Sequence, residues 1–166
     1  MFQYIPVNWG NKHTELNYTT APFKDSIQEN KWLSSGHLPE SLTIDLHQMK
    51  EPYDWMVYLL DYFQHLDHVS FCFGKFKPGQ YFPMHVDLYG TFKQKFNITD
   101  TKNIMRYVIF LDDSKDGHFL QVESQIYNKW KKGDCIGWNG SAAHLAANLG
   151  VEDRYTLQIT GVLKPA

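Results

Sequence analysis

The sequence predicts a mainly β domain, an antiparallel jelly roll or barrel, and three observations lead there. From residue 69 onward, about eight short segments carry the apolar–polar alternation of half-buried strands. Clusters of glycine, proline, asparagine and aspartate separate them at regular intervals, the spacing of a β-sandwich or barrel. A length of 166 residues, with 43% hydrophobic and 20% charged, suits one soluble domain with a sizeable core.

Residues 1–68 are expected to form a cap with a few helices, and residues 69–163 the β core, within a single domain spanning 1–166. The first fifty residues have little periodicity and contain Pro6, Pro22 and Pro39. One short helix is predicted near 24–34 and one strand near 41–46. Apolar residues such as Phe2, Ile5, Trp9, Phe23 and Trp32 require this cap to pack on the rest of the chain. After Pro52, the residues Trp55, Tyr58, Leu59, Tyr62, Phe63 and Leu66 recur at helical spacing and predict a helix over 53–66. Strands follow at 69–76, 80–86, 104–111, 117–123, 125–130, 135–138, 144–148 and 154–163. The polar excursion over 89–103 is long enough to be a lid or binding loop.

Composition excludes several classes of function. The net charge of −2 gives no basic footprint for nucleic acid. Cys72 and Cys135 lack metal-ligand spacing and imply no disulfide framework, so both are expected in the core of a protein from a reducing compartment. With no leader-like N-terminus and no apolar run of spanning length, a cytoplasmic protein away from membranes is expected. The aromatic share of 16% points to a large-residue core or an aromatic-lined pocket. The only arginines, among sixteen basic residues, are Arg106 and Arg154. Genome bias explains such scarcity, and so does retention of arginine where a rigid carboxylate-matching fork is needed.

The chemistry concentrates at His85-Val86-Asp87. On a strand, side chains two apart share a face, so an imidazole and a carboxylate stand side by side as two metal donors. His144, from another strand, would complete a 2-His-1-carboxylate set. With 8 histidines and 18 acidic residues, about one His-x-acid pair is expected by accident. His65-Leu66-Asp67 is such a pair, and at a helix end its side chains point apart.

His144 and Arg154 flank a stretch rich in turn formers, 148–153. A hairpin centred near Leu149 would set them opposite one another, facing the same way. Along the last strand Arg154, Thr156, Gln158 and Thr160 form one polar face, and Tyr155, Leu157 and Ile159 the other. A buried guanidinium is costly without an anion, so this row belongs in a pocket that takes one.

His85-x-Asp87, then His144, then Arg154 ten residues on, in a jelly-roll pattern, resembles the Fe(II)- and 2-oxoglutarate-dependent dioxygenases over roughly residues 69–163. The resemblance implies a double-stranded β-helix, a cupin-like jelly roll, with His85, Asp87 and His144 as iron ligands. It further implies 2-oxoglutarate and O2 as co-substrates, with Arg154 on the distal carboxylate and the Thr156 hydroxyl beside it. Tyr81 resembles a co-substrate-contacting tyrosine of prolyl hydroxylase-like members. Met105-Arg106-Tyr107 and Trp138-Asn139 with His144, Asn148 and Arg154 are similar to aspartyl/asparaginyl hydroxylase-like members, which lack the carboxylate ligand. Arg106 is a candidate contact to 2-oxoglutarate or to an acidic group of the substrate. The reaction implied is hydroxylation of a C–H bond, with release of succinate and carbon dioxide. Its substrate would be a prolyl or Asp/Asn side chain of a peptide or protein, or a small molecule.

Two other classes stay open at this level. One is a cupin-type metalloenzyme that does not use 2-oxoglutarate, in which Arg154 would be dispensable. The other is a non-enzymatic jelly-roll binding module, in which His85, Asp87 and His144 would lie apart.

Overall fold

A computed structural model describes residues 2–166. The chain opens with β1 (Gln3–Tyr4), β2 (Thr19–Pro22), helix α1 (Ser26–Ser34) and β3 (Thr43–Gln48). Next come β4 (Leu66–Phe76), β5 (Tyr81–His85), helix α2 (Gly90–Phe96), β6 (Ile104–Phe110), β7 (His118–Val122) and β8 (Gln125–Tyr127). β9 (Asp134–Asn139), β10 (His144–Asn148) and β11 (Arg154–Leu163) complete the chain. All pairings are antiparallel, in a seven-stranded sheet ordered β1-β9-β6-β11-β4-β3-β2 and a four-stranded sheet ordered β5-β10-β7-β8. The fold is the mainly β double-stranded β-helix expected. Its N-terminal strands extend the larger sheet.

Alternation on β11 divides the interior. Leu157 and Ile159 face outward from the small sheet and join Phe71, Phe73 and Ile109 in the largest core cluster. Ile5, Trp9, Met56, Leu59 and Phe63 close over that face. The opposite alternation, Arg154, Thr156, Gln158 and Thr160, faces a cavity. Aromatic clusters close its flanks, with Phe110, Trp130 and Trp138 in one and Trp32, Phe76 and Phe82 in the other. Among the described residues no helix is long and apolar enough to cross a membrane.

Several local expectations are corrected. The helix over 53–66 is a run of 3-10 turns, Asp54–Phe63, burying Met56, Leu59 and Phe63. An i, i+3 stripe suits three residues per turn as well as an α-helix. The chain then enters β4 three residues earlier than predicted, so Asp67 lies in a strand and His65 in the turn before it. His65 hydrogen-bonds the Tyr107 hydroxyl at 2.9 Å, and Asp67 lies 3.9 Å from Lys164. The 89–103 excursion contains α2, bracketed by left-handed Tyr89 and Asn97. Cys135 is buried as expected, whereas Cys72 is half-buried and lines the cavity.

The hairpin between residues 144 and 154 does not form. β10 pairs with β5 and β7, and β11 with β4 and β6. Residues 149–153 cross from one sheet to the other, so His144 and Arg154 face the cavity from opposite walls. Buried Asn148 holds this crossover, donating to the carbonyls of Phe76 and Glu152 and accepting from the Gly150 N–H. His118 Nε2 donates to the same Glu152 carbonyl at 3.0 Å. The crossover passes so close to Gly117 that a Cβ there or at Gly150 would overlap backbone. These contacts set where Arg154 enters β11.

Candidate metal centre

His85 ends β5 and His144 begins β10, and the two are cross-strand partners. Directly paired residues share a face, and their rings lie 4.3 Å apart. Asp87, just past the end of β5, places Oδ1 3.4 Å from His85 Nε2 and Oδ2 3.5 Å from His144 Nε2. One ligand atom from each residue lies within 4.8 Å of the others. Donors about 2.1 Å from one metal ion sit roughly 3 Å apart when cis, so small side-chain movements close this set. Among the described residues this is the one such cluster.

Backbone carbonyls decide which ring nitrogens are free. His85 Nδ1 is 2.6 Å from the Pro83 carbonyl, and His144 Nδ1 is 3.0 Å from that of Ala142. A carbonyl only accepts, so each Nδ1 carries the proton and each Nε2 lone pair points at the centre. This is the orientation that metal-binding histidines need. Phe23, Trp32 and Phe82 surround the His85 ring, with centroids 4.8, 5.8 and 6.0 Å away.

Burial alone would raise the Asp87 pKa. The Arg106 guanidinium, then contacts from His144 and His85, outweigh it and hold the carboxyl well below its usual range. Arg106 donates from one terminal nitrogen to Asp87 Oδ2 at 3.1 Å and from the other to Gln158 Oε1 at 3.0 Å. Because the folded-state pKa is depressed, the pair's contribution is present above the unfolded carboxylate pKa, near 4, and is lost as pH falls through the folded value. Wild-type protein is therefore expected to lose stability below about pH 4 more steeply than an Asp87→Asn variant. Melting curves from pH 3 to 7 check this, and parallel curves for the two proteins would refute it.

Arg154 opens β11 and is 3% exposed. Its guanidinium lies 5.4 Å from the Phe76 ring, 5.9 Å from Phe110 and 5.4 Å from Trp130. Ring faces favour a cation, but Arg154 Nε has no hydrogen-bond partner. Burial pulls its pKa down to about 9, which leaves it cationic at neutral pH.

The cavity holding all these groups has a volume of about 480 Å³. It runs beneath β11 from Arg154 to Thr160, about 20 Å of strand. Gly74, paired with Thr156, keeps the floor open, since a Cβ there would come within 3.1 Å of the Gln158 amide. The cavity opens between residues 22–25 and α2, where Lys24, Leu88, Thr91 and Lys95 are exposed.

The structure thus brings His85, Asp87, His144, Arg106, Arg154 and Thr156 to one cavity, and Tyr81 is not among its lining residues. Pairing slips between His144 and Ala146, so Phe82 and His85, three residues apart, oppose residues two apart and both face inward. This bulge sends Tyr81 the other way, with its hydroxyl 2.8 Å from His37 Nδ1. Sequence reasoning missed Tyr89, which stacks on Arg106 at 5.1 Å, and the part played by Gln158. No periodicity marks Tyr89, and the alternation that places Gln158 on the polar face does not name Arg106 as its partner.

No protein-family model matches the sequence, and no curated protein matches it. Among solved structures, a prolyl-4-hydroxylase from Pseudomonas putida is 11% identical, over 93% of this chain and 97% of that one, with a TM-score of 0.55. The Schizosaccharomyces pombe Cnp3 cupin domain is 10% identical over 78% and 71%, with a TM-score of 0.45. A predicted oxalate decarboxylase from Thermotoga maritima is 12% identical over 73% and 82%, with a TM-score of 0.46. The likeness to the hydroxylase is one of fold, a double-stranded β-helix jelly roll.

Proposed function

We propose that this chain is an Fe(II)- and 2-oxoglutarate-dependent oxygenase that hydroxylates a C–H bond of its substrate. The observation carrying the proposal is Arg154, a buried cation with an unpartnered Nε, in the same cavity as the His–Asp–His cluster. Two imidazoles and one carboxylate on one face suit iron(II) and leave positions open for other ligands. A buried guanidinium in an aromatic box suits a carboxylate that has left water. A cupin-type metalloenzyme without 2-oxoglutarate would have no use for that cation.

His85 Nε2, His144 Nε2 and an Asp87 oxygen would hold the metal, and the two backbone carbonyls would keep the rings in register. Arg154 would pair with the distal carboxylate of 2-oxoglutarate, with the Thr156 hydroxyl on the same face of β11. Tyr81 has no place in this set. Bound there, iron(II) and 2-oxoglutarate would activate dioxygen, the oxidant, with one oxygen atom going to succinate as carbon dioxide leaves and the other to the hydroxylated C–H bond. The aromatic walls exclude water, and Arg106, itself held by Gln158, keeps the metal-facing carboxylate ionised and fixed. The substrate is a peptide or protein side chain or a small molecule, and it reaches the metal through the opening beside α2.

Succinate formation by the iron-loaded protein, alongside Asp87→Ala, tests the proposal. Slow turnover that is absent from the variant is the expected outcome. Metal binding without affinity for 2-oxoglutarate would instead indicate a different cupin-type metalloenzyme. Folded protein binding neither would be a binding module.

A further inference from the structure

Three buried polar side-chain atoms among the described residues have no hydrogen-bond partner: Arg154 Nε, Tyr89 Oη and Trp138 Nε1. All three residues line the cavity. Arg154 is accounted for by 2-oxoglutarate, and the Tyr89 hydroxyl, though it forms no well-aligned hydrogen bond, lies against Arg106 and Asp87; Trp138 Nε1, on a residue 7% exposed, has no acceptor. Such groups cost free energy unless a ligand or water satisfies them. Trp138 is the cross-strand partner of Arg106 and lies 5.1 Å from the His144 ring. The Tyr89 ring lies 5.1 Å from the Arg106 guanidinium. Both thus lie beside Arg106, which pairs with Thr160 at the other end of the polar row from Arg154.

An indole N–H can only donate, so its ligand must accept. Charge then distinguishes an anionic acceptor from a neutral one. The cavity walls carry the cations Lys24, Lys95, Arg106 and Arg154 against the carboxylates Asp25 and Asp87. A divalent metal and the 2-oxoglutarate dianion cancel each other, so two positive charges stay unbalanced. Asp25 is committed to capping α1 through the N–H groups of Ile27 and Gln28, and Asp87 to Arg106. At the opening, Lys24 donates to the Thr91 hydroxyl at 3.3 Å and Lys95 rests 4.9 Å over the Phe96 ring, both neutral partners.

We infer that the prime substrate carries a carboxylate, received by the Tyr89 hydroxyl and the Trp138 indole N–H and drawn in by Lys24 and Lys95. The inference rests on the oxygenase proposal and extends it to the class of substrate. A free acidic metabolite and an acidic side chain of a peptide share this chemistry.

The test is calorimetric titration of protein loaded with Mn(II) and 2-oxoglutarate, which gives binding without turnover. The probes are free aspartate and glutamate, and capped tripeptides with one central acidic residue. The asparagine and glutamine counterparts of each serve as controls. At least one acid is expected to bind about tenfold or more tightly than its amide, because the anion strengthens each hydrogen bond it accepts. Whether the free acid or the peptide binds identifies the source. Tyr89→Phe and Trp138→Phe are each expected to weaken that probe roughly tenfold. The Lys24→Gln/Lys95→Gln pair should flatten the salt dependence of its affinity. Equal binding of acids and amides would overturn the inference, as would wild-type affinity in both aromatic variants. So would a panel in which nothing binds although 2-oxoglutarate does. Failure of 2-oxoglutarate itself to bind is a separate result and removes the oxygenase proposal beneath it.

Discussion

Replacing Arg154 with methionine is expected to abolish 2-oxoglutarate binding while making the ligand-free protein more stable. The guanidinium is 3% exposed and sits among three aromatic rings, with Nε unsatisfied. Folding must desolvate that charge without a compensating anion, and the rings recover only part of the cost. Methionine fills a similar volume, suits aromatic surroundings and removes the buried charge. A gain of about 1–2 kcal/mol is expected, or roughly 3–6 °C in melting temperature for a domain of this size. The same change removes the partner of a buried carboxylate, an interaction worth about 3–5 kcal/mol, so affinity for 2-oxoglutarate should fall by at least about a hundredfold. Scanning calorimetry and 2-oxoglutarate titration of metal-loaded protein measure the two effects. A destabilised variant that still binds 2-oxoglutarate would show that Arg154 is a structural residue.

Asp87→Ala is expected to act in the opposite sense on stability and to remove metal binding. The carboxylate offers one oxygen to the metal face and accepts from Arg106 at 3.1 Å. Without it, two imidazoles remain, and affinity for Fe(II) or Mn(II) should drop by more than about a hundredfold. Arg106 keeps neutral partners, Gln158 and the nearby Tyr89 hydroxyl, and becomes a largely buried charge without its counter-ion. Loss of such a partner destabilises on the order of 2–3 kcal/mol when the pair is partly exposed, as here. Adding Arg106→Met should restore much of that stability and none of the metal affinity, since the residues are in contact and their effects are not additive. A double variant no more stable than Asp87→Ala would mean that the ion pair does not hold the carboxylate in place.

Much of the site was legible because it follows from local periodicity. The bounds of β10 and β11 agree with the predicted 144–148 and 154–163. The polar alternation of β11 places Arg154, Thr156, Gln158 and Thr160 along the cavity as the period of two requires. His85 and Asp87 were legible as neighbours from their spacing, although Asp87 lies just past the end of β5. Tyr81 was misplaced because a bulge, which depends on the partner strand, reverses parity along β5. The 144–154 hairpin failed because turn-forming residues between two strands serve a crossover between sheets as well as a tight turn. Gly117 and His118, where a distant strand begins, and Asn148, at the start of the crossover, settle that choice.

By itself the sequence determined the β class, the His85-x-Asp87 pair and the arginine-led row, each written in spacings of a few residues, and offered His144 from a strand far along the chain as the third donor. Only the tertiary structure decided which sheet each strand joins, that Arg106 holds Asp87, and that Tyr89 and the unpartnered indole of Trp138 stand beside them. Those outcomes depend on which distant groups share buried space, and the free energy of a buried polar group is set by neighbours that no local pattern names.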